Sequence, residues 1–200
     1  MKINLTEIYK GLDEWRAERK ITAESQKDGY IINIMEEFGE LASALRDYEK
    51  FSATDYPYPT DKQVAEHEII DALCDIAIFT INAGADIPCR LKDSAIYTSK
   101  ISFIVANLCN LINDCVKFAS DHDYKDGVYY NSILINCAKL CEHCGFNFQI
   151  AMDETIKEIS SRTGAYDEVS KKWIKDTSDE AKAKWYKADY EKARLYNLGK

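Results

Sequence analysis

Apolar residues recur along this chain at spacings of three and four almost from end to end, the mark of amphipathic helices. Leu5, Ile8, Leu12 and Trp15 predict a first helix ending near Lys20, with Asn4 and Glu7 as its capping box. Ile31, Ile34, Phe38, Leu41, Leu45 and Tyr48 stripe a second helix from about Glu24 to Lys50. Pro57 and Pro59 make Phe51 to Thr60 a loop, and Thr60 with Gln63 caps a third helix that stops near Gly84. Pro88 suits the start of a long fourth helix reaching Ser120, and Asp121 to Gly127 is a polar loop. Two more helices follow, Val128 to Cys144 closed by Gly145, and Asn147 to Ser161 ended by Gly164. Thr177 with Glu180 caps a last, charged helix carrying Trp185, Tyr186, Tyr190 and Tyr196. No segment alternates with period two. The pattern predicts an all-α helical bundle forming one domain over residues 1–200.

The apolar frame also repeats. Slid by seventy positions, Ile31, Ile34, Leu41 and Ala42 meet Ile101, Ile104, Leu111 and Ile112, while Glu36, Glu37 and Glu40 meet Ala106, Asn107 and Asn110. Slid by sixty-one, Leu73, Ile76, Ala77 and Gly84 meet Leu134, Cys137, Ala138 and Gly145, while Glu68, Asp71 and Asp75 meet Tyr129, Ser132 and Asn136. Any two amphipathic helices align to some degree. Here the neutral replacements fall at corresponding places on both helices, which favours a degenerate tandem duplication of a helical hairpin. The domain then divides into a hairpin at 22–90, a second repeat at 91–162, and a tail with a helix at 163–200.

Composition narrows the class. With 46% hydrophobic and 30% charged residues the chain can bury a core, and 8 Gly and 3 Pro in 200 residues disfavour a turn-rich β fold. The net charge of −8 argues against nucleic acid or an anionic membrane as partner. No stretch has the length of a membrane span or the apolar core of a signal peptide, so the 7 Cys are expected reduced and the location cytoplasmic.

The candidate chemistry is acidic. Glu37 and Glu40 share a helix face, Glu36 lies close to it, and Glu68, Asp71 and Asp75 fall in a narrow arc of the next helix. On antiparallel helices the two sets can face each other. Clustered carboxylates repel unless a cation lies between them, and no Lys or Arg interrupts Ile31 to Leu45 or the stretch from Val64 up to Arg90. Hard oxygen donors suit Mg²⁺, with Mn²⁺ as substitute. The alternative is a solvated acidic face.

At these residues the chain resembles a known family. Glu36-Glu37-Phe38-Gly39-Glu40-Leu41 is similar to the EExxE motif of the all-α nucleoside triphosphate pyrophosphohydrolases, the MazG-like proteins with the dimeric dUTPases and dCTP pyrophosphatases. Glu68-Ile69-Ile70-Asp71-Ala72-Leu73 is similar to their ExxD motif, and the likeness covers roughly residues 5 to 90. The resemblance implies Mg²⁺-dependent attack of water between the α- and β-phosphates, giving a nucleoside monophosphate and pyrophosphate. It implies Glu37, Glu40, Glu68 and Asp71 as metal ligands, Asp75 behind them, and Glu36 with Glu37 and Glu40 as the catalytic group. By the same resemblance Lys157 and Arg162 contact phosphates, against ordinary helix-end solvation. Trp15 and Tyr166 either stack on a base or pack in the core.

Cys137, Cys141, His143 and Cys144 invite a zinc reading, but the cysteines form a core stripe within one helix, poor geometry for structural zinc. The histidines lack the Glu-x-x-His pairs of a di-iron bundle, and no Gly-rich phosphate loop or GxSxG motif occurs. Two rivals to the pyrophosphohydrolase remain: a non-catalytic nucleotide- or protein-binding module on the same fold, and an enzyme releasing orthophosphate. Base, sugar and association into a homodimer stay open.

Overall fold

The computed structural model describes residues 5–22, 25, 29–52, 57–84, 110, 112–114, 116–117 and 128–197. Asn4 of the first capping box, Ala106 and Asn107 of the second repeat, the loop 121–127 and most of the helix expected from Pro88 to Ser120 lie outside them. The architecture is mostly helical. Five helices carry the described core: α1 (Leu5–Arg19), α2 (Tyr30–Phe51), α3 (Pro59–Ala83), α4 (Val128–His143) and α5 (Phe148–Ser161). No helix among the described residues is long and apolar enough to cross a membrane.

The centre is α3. Ile69, Ile70, Leu73, Cys74, Ile76, Ala77 and Ile81 leave it apolar on nearly every side, and it packs on α2, α4 and α5 at once. Around it stand Ile34 and Leu41 of α2, Ile133, Leu134 and Cys137 of α4, and Phe148, Ala151 and Met152 of α5, all buried. Ile8 and Leu12 bury the inner face of α1, and that face continues through two buried arginines. Arg16 donates to Asn82 Oδ1 at 3.2 Å, and Arg19 reaches the open C-terminal carbonyls of α5.

The helix ends show the local chemistry. Pro59 sits in the first turn of α3, whose N-cap is Tyr58 without a side-chain bond, so the cap expected from Thr60 and Gln63 is not used. Gly145, at φ +87°, closes α4 in the left-handed region that glycine adopts without strain. Asn147 caps α5, its side chain accepting from the Ile150 N–H at 3.1 Å.

Two expectations are corrected beyond α5. The chain is not all-α: β1 (Gly164–Asp167) and β2 (Lys172–Lys175) form an antiparallel hairpin pairing Gly164 with Lys175 and Tyr166 with Trp173. Gly164 opens a strand as well as following a helix, because a Cβ there would lie 2.3 Å from the Ile174 carbonyl oxygen and 2.9 Å from the Trp173 ring. The hairpin turns where Asp167 accepts from the Val169 and Ser170 N–H groups and Lys171 takes φ 56°. The expected terminal helix lasts one turn, α6 (Asp179–Lys182), capped by Ser178. The chain then runs extended over the bundle into two 3₁₀ turns, Tyr190–Ala193 and Leu195–Asn197. Its polar atoms bond the helices beneath: the Asn147 N–H donates to Ala193 O at 2.7 Å, and the Leu195 N–H to Gly145 O at 2.8 Å.

Candidate functional site

Three helices bring acids to one place. Glu37 and Glu40 come from α2, Asp71 and Asp75, one turn apart, from α3, and Glu158 from α5. Glu36 and Glu40 are exposed, whereas Glu37, Asp71, Asp75 and Glu158 are half-buried. The electrostatics record their closeness. Burial, and then the charges of Glu40, Asp71 and Glu36, push the Glu37 carboxyl up to about 7. Burial raises Asp75 well above the carboxylate range, with Asp71 and Glu37 adding to it and Arg162 opposing. Asp71 is raised by burial and by Glu158 and Glu40, against a hydrogen bond from Tyr190 and the charge of Arg162. An acid of α2 therefore feels acids of α3, and those of α3 feel α5.

Among the described residues, the cation acting on Asp71 and Asp75 is Arg162. Its guanidinium donates to Glu158 at 2.7 Å, while its Nε is buried and has no hydrogen-bond partner. Lys157 points elsewhere: it is exposed and pairs with Glu154 at 2.6 Å. Glu154 is a fully satisfied acid. Burial works to raise it, but bonds from Lys157, Tyr186, the Asp189 N–H and Lys192 outweigh that and hold it down to about 2.

Glu68 stands exposed on α3, one turn before Asp71, and does not figure among the charges acting on Glu37, Asp71 or Asp75. Among the described residues no group of three or more His, Cys, Asp and Glu side chains stands close enough together to hold a metal ion. The acids feel one another's charge without closing into a ligand cage. In chemistry the donor set suits a hard divalent cation, being all carboxylate, with Glu40 exposed and Glu37, Asp71 and Asp75 half-buried. Cys137 and Cys141, by contrast, are buried free thiols, and Cys144 is a partly buried one.

A pocket of about 350 Å³ is lined by Trp15, Lys20, Asn33, Tyr166, Lys172 and Trp173 among others, and by none of these acids. Two structural links tie it to the acids. Asn33 lies one turn before Glu37 on α2, about 6 Å along the axis. Arg19, in the pocket wall, donates to the Arg162 carbonyl at 3.0 Å. Arg19 also lies between the rings of Trp15 and Trp173, at 5.2 and 5.1 Å, and so fastens the hairpin to the bundle. Trp15 donates to Ile159 O at 3.2 Å, and Lys20 covers the Tyr166 ring at 4.4 Å. Trp15 and Tyr166, 151 positions apart in sequence, thus share one cavity.

Compared with known proteins, the chain matches no family profile, no curated protein and no solved structure.

Several residues of the site escape sequence reasoning. The resemblance names Arg162 but not its partner Glu158, and nothing local aims that i,i+4 pair at α3. Tyr190 reaches Asp71 across 119 positions, and Trp173 reaches the pocket through a hairpin whose strands are four residues long.

Proposed function

We propose that the protein is a Mg²⁺-dependent nucleoside triphosphate pyrophosphohydrolase of the MazG-like kind, turning a (d)NTP and water into a (d)NMP and pyrophosphate. The observation that carries this reading is the convergence of Glu37, Glu40, Asp71 and Asp75 from two facing helices, with Arg162 alongside. The motifs EEFGEL and EIIDAL hold Glu37, Glu40 and Asp71, and Asp75 lies one turn beyond Asp71.

Glu37, Glu40 and Asp71 are the ligands this reading assigns to Mg²⁺, with Asp75 behind them and Glu68 free to swing in from the rim. Bound there, the ion would lower the pKa of a coordinated water and neutralise phosphate charge. The chain's own groups do the rest. Glu36, exposed beside Glu37, takes a proton from the attacking water, a task that needs an ionised carboxylate within hydrogen-bond reach. Arg162, whose side chain is part-exposed, brings its positive charge to the phosphates. The pocket of Trp15 and Tyr166 receives the nucleoside, its rings supplying apolar faces and Asn33 a hydrogen-bonding edge.

The same reading takes the fold as a duplicated helical hairpin with one working acid set. Ser132 and Asn136, the counterparts of Asp71 and Asp75, both hydrogen-bond Asp114 of the helical segment 112–114, so α4 turns those positions toward a neighbouring helix much as α3 does.

The test is product analysis against a panel of triphosphates, with and without Mg²⁺. Nucleoside monophosphate with pyrophosphate, formed only with the metal, is the expected result. Orthophosphate release would replace the reaction class, and nucleotide retained without turnover would leave a binding module.

A further inference from the structure

We propose that Tyr190, delivered by the extended C-terminal segment, is a positioning residue that fixes the Asp71 carboxylate for metal binding. This rests on reading the acid cluster as a Mg²⁺ site.

Tyr190 is buried, and its hydroxyl donates to Asp71 Oδ1. The same hydroxyl contacts Thr155 Oγ1 at 3.0 Å, and Thr155 in turn donates to Ala151 O at 3.0 Å. With the Thr155 proton given to Ala151 O, Thr155 leaves the phenolic proton to Asp71. An ionised carboxylate can only accept, so the single phenolic proton goes to Asp71. Oδ1 is held, and Oδ2 takes no hydrogen bond from any described residue. A carboxylate gripped by one oxygen presents the other in a fixed direction, as the hydrogen-bonding partners of metal ligands commonly arrange.

The segment that delivers Tyr190 is anchored on both sides of it. Before it, the Tyr186 N–H donates to Ser161 Oγ at 2.8 Å, the Ala188 N–H to Glu158 at 2.9 Å and the Asp189 N–H to Glu154 at 3.2 Å. After it, Glu191 meets His67 at 2.9 Å and Arg194 meets Glu66 at 2.8 Å, both on α3. The phenol cannot drift from Asp71 without breaking these bonds, so the tail couples α5 to the metal-facing surface of α3.

The experiment titrates Mn²⁺ into the full chain without nucleotide, reading free Mn²⁺ by its paramagnetic resonance signal, alongside thermal melting. Tyr190→Phe keeps the ring and removes the hydroxyl. Its Mn²⁺ affinity should fall about tenfold, the loss typical when a ligand's hydrogen-bonding partner is removed. A purely structural tyrosine would lower the melting temperature and leave Mn²⁺ affinity alone. Asp71→Asn is the benchmark for losing the ligand itself. If Tyr190→Phe binds Mn²⁺ like the wild type while Asp71→Asn does not, the positioning role is wrong and the metal site stands. If the wild type binds no Mn²⁺, both readings fall. Should Tyr190→Phe not fold, 3-fluorotyrosine at position 190 decides: it keeps the phenol and alters its donor strength, and an unchanged Mn²⁺ affinity there overturns the proposal.

Discussion

The helices α3 and α4 treat their polar positions in opposite ways. On α3, Asp71 and Asp75 meet further acids from α2 and α5, and burial with mutual repulsion pushes their protons on. On α4, the corresponding Ser132 and Asn136 are neutral donors, and both give their hydrogens to Asp114, at 3.5 Å from Asn136. One surface is internally satisfied and needs nothing more. The other is left with more negative charge than its surroundings can balance, and such a deficit is what a cation relieves. Function, in this view, follows from the side that stayed unfavourable. Glu154 makes the same point within α5: with four donors it is held at about 2, and it has no capacity left for a ligand.

The largest effect is expected where the deficit is removed. Glu40→Gln should cut hydrolysis about a thousandfold while the fold persists, because a neutral amide forfeits several kcal/mol of metal-borne charge stabilisation at roughly 1.4 kcal/mol per decade. Single-turnover rates with a reactive triphosphate would measure it, and a loss under fivefold would remove Glu40 from the site.

Carrying the acids across to α4 should break the contrast. Ser132→Asp with Asn136→Asp would place two more charges against Asp114, one half-buried and one buried, and cost about 3 kcal/mol. Urea unfolding reads the loss, and added Mn²⁺ should recover part of it.

Acidity gives the third test. Glu37 ionises at an ordinary 4.5 when unfolded and at about 7 when folded. Between those values the unfolded chain has released a proton that the folded one keeps, so metal-free stability falls as pH rises from about 4.5 to about 7. Asp71 and Asp75, also raised, act with the same sign, whereas Glu154 acts oppositely and weakens the fold only on acidification toward about 2. Mg²⁺ at a hundred times its Kd should add about 2.7 kcal/mol at pH 8 and distinctly less at pH 5. Melting curves at both values, with and without the ion, decide it; equal increments would contradict a shared carboxylate site.

The smallest effect belongs to the satisfied side. Ser132→Ala removes one bond to Asp114 and should cost about 1 kcal/mol without altering turnover.

The periodicity of the chain settled much by itself. A stripe such as Ile34–Leu41, or the unbroken apolar run of α3, has no low-energy state outside a helix packed in a core, so helix identity and inner faces were readable locally. Gly145 and Asn147 were readable for the same reason, since a left-handed closure and a side-chain cap are settled within a few residues. Glu37, Glu40, Asp71 and Asp75 could be grouped from sequence because hairpin neighbours face each other by default. What only tertiary structure decided involves partners far apart along the chain. The hairpin at Gly164 is held by Arg19 between two tryptophans, not by any alternation in four-residue strands. The tail gave up its helix because its backbone and side chains found carboxylates on α5 and α3 to bond, and Tyr190 met Asp71 only through that path. Local preference is decided within a turn or two, whereas the pairing of a buried charge depends on whichever distant segment the packed core brings against it.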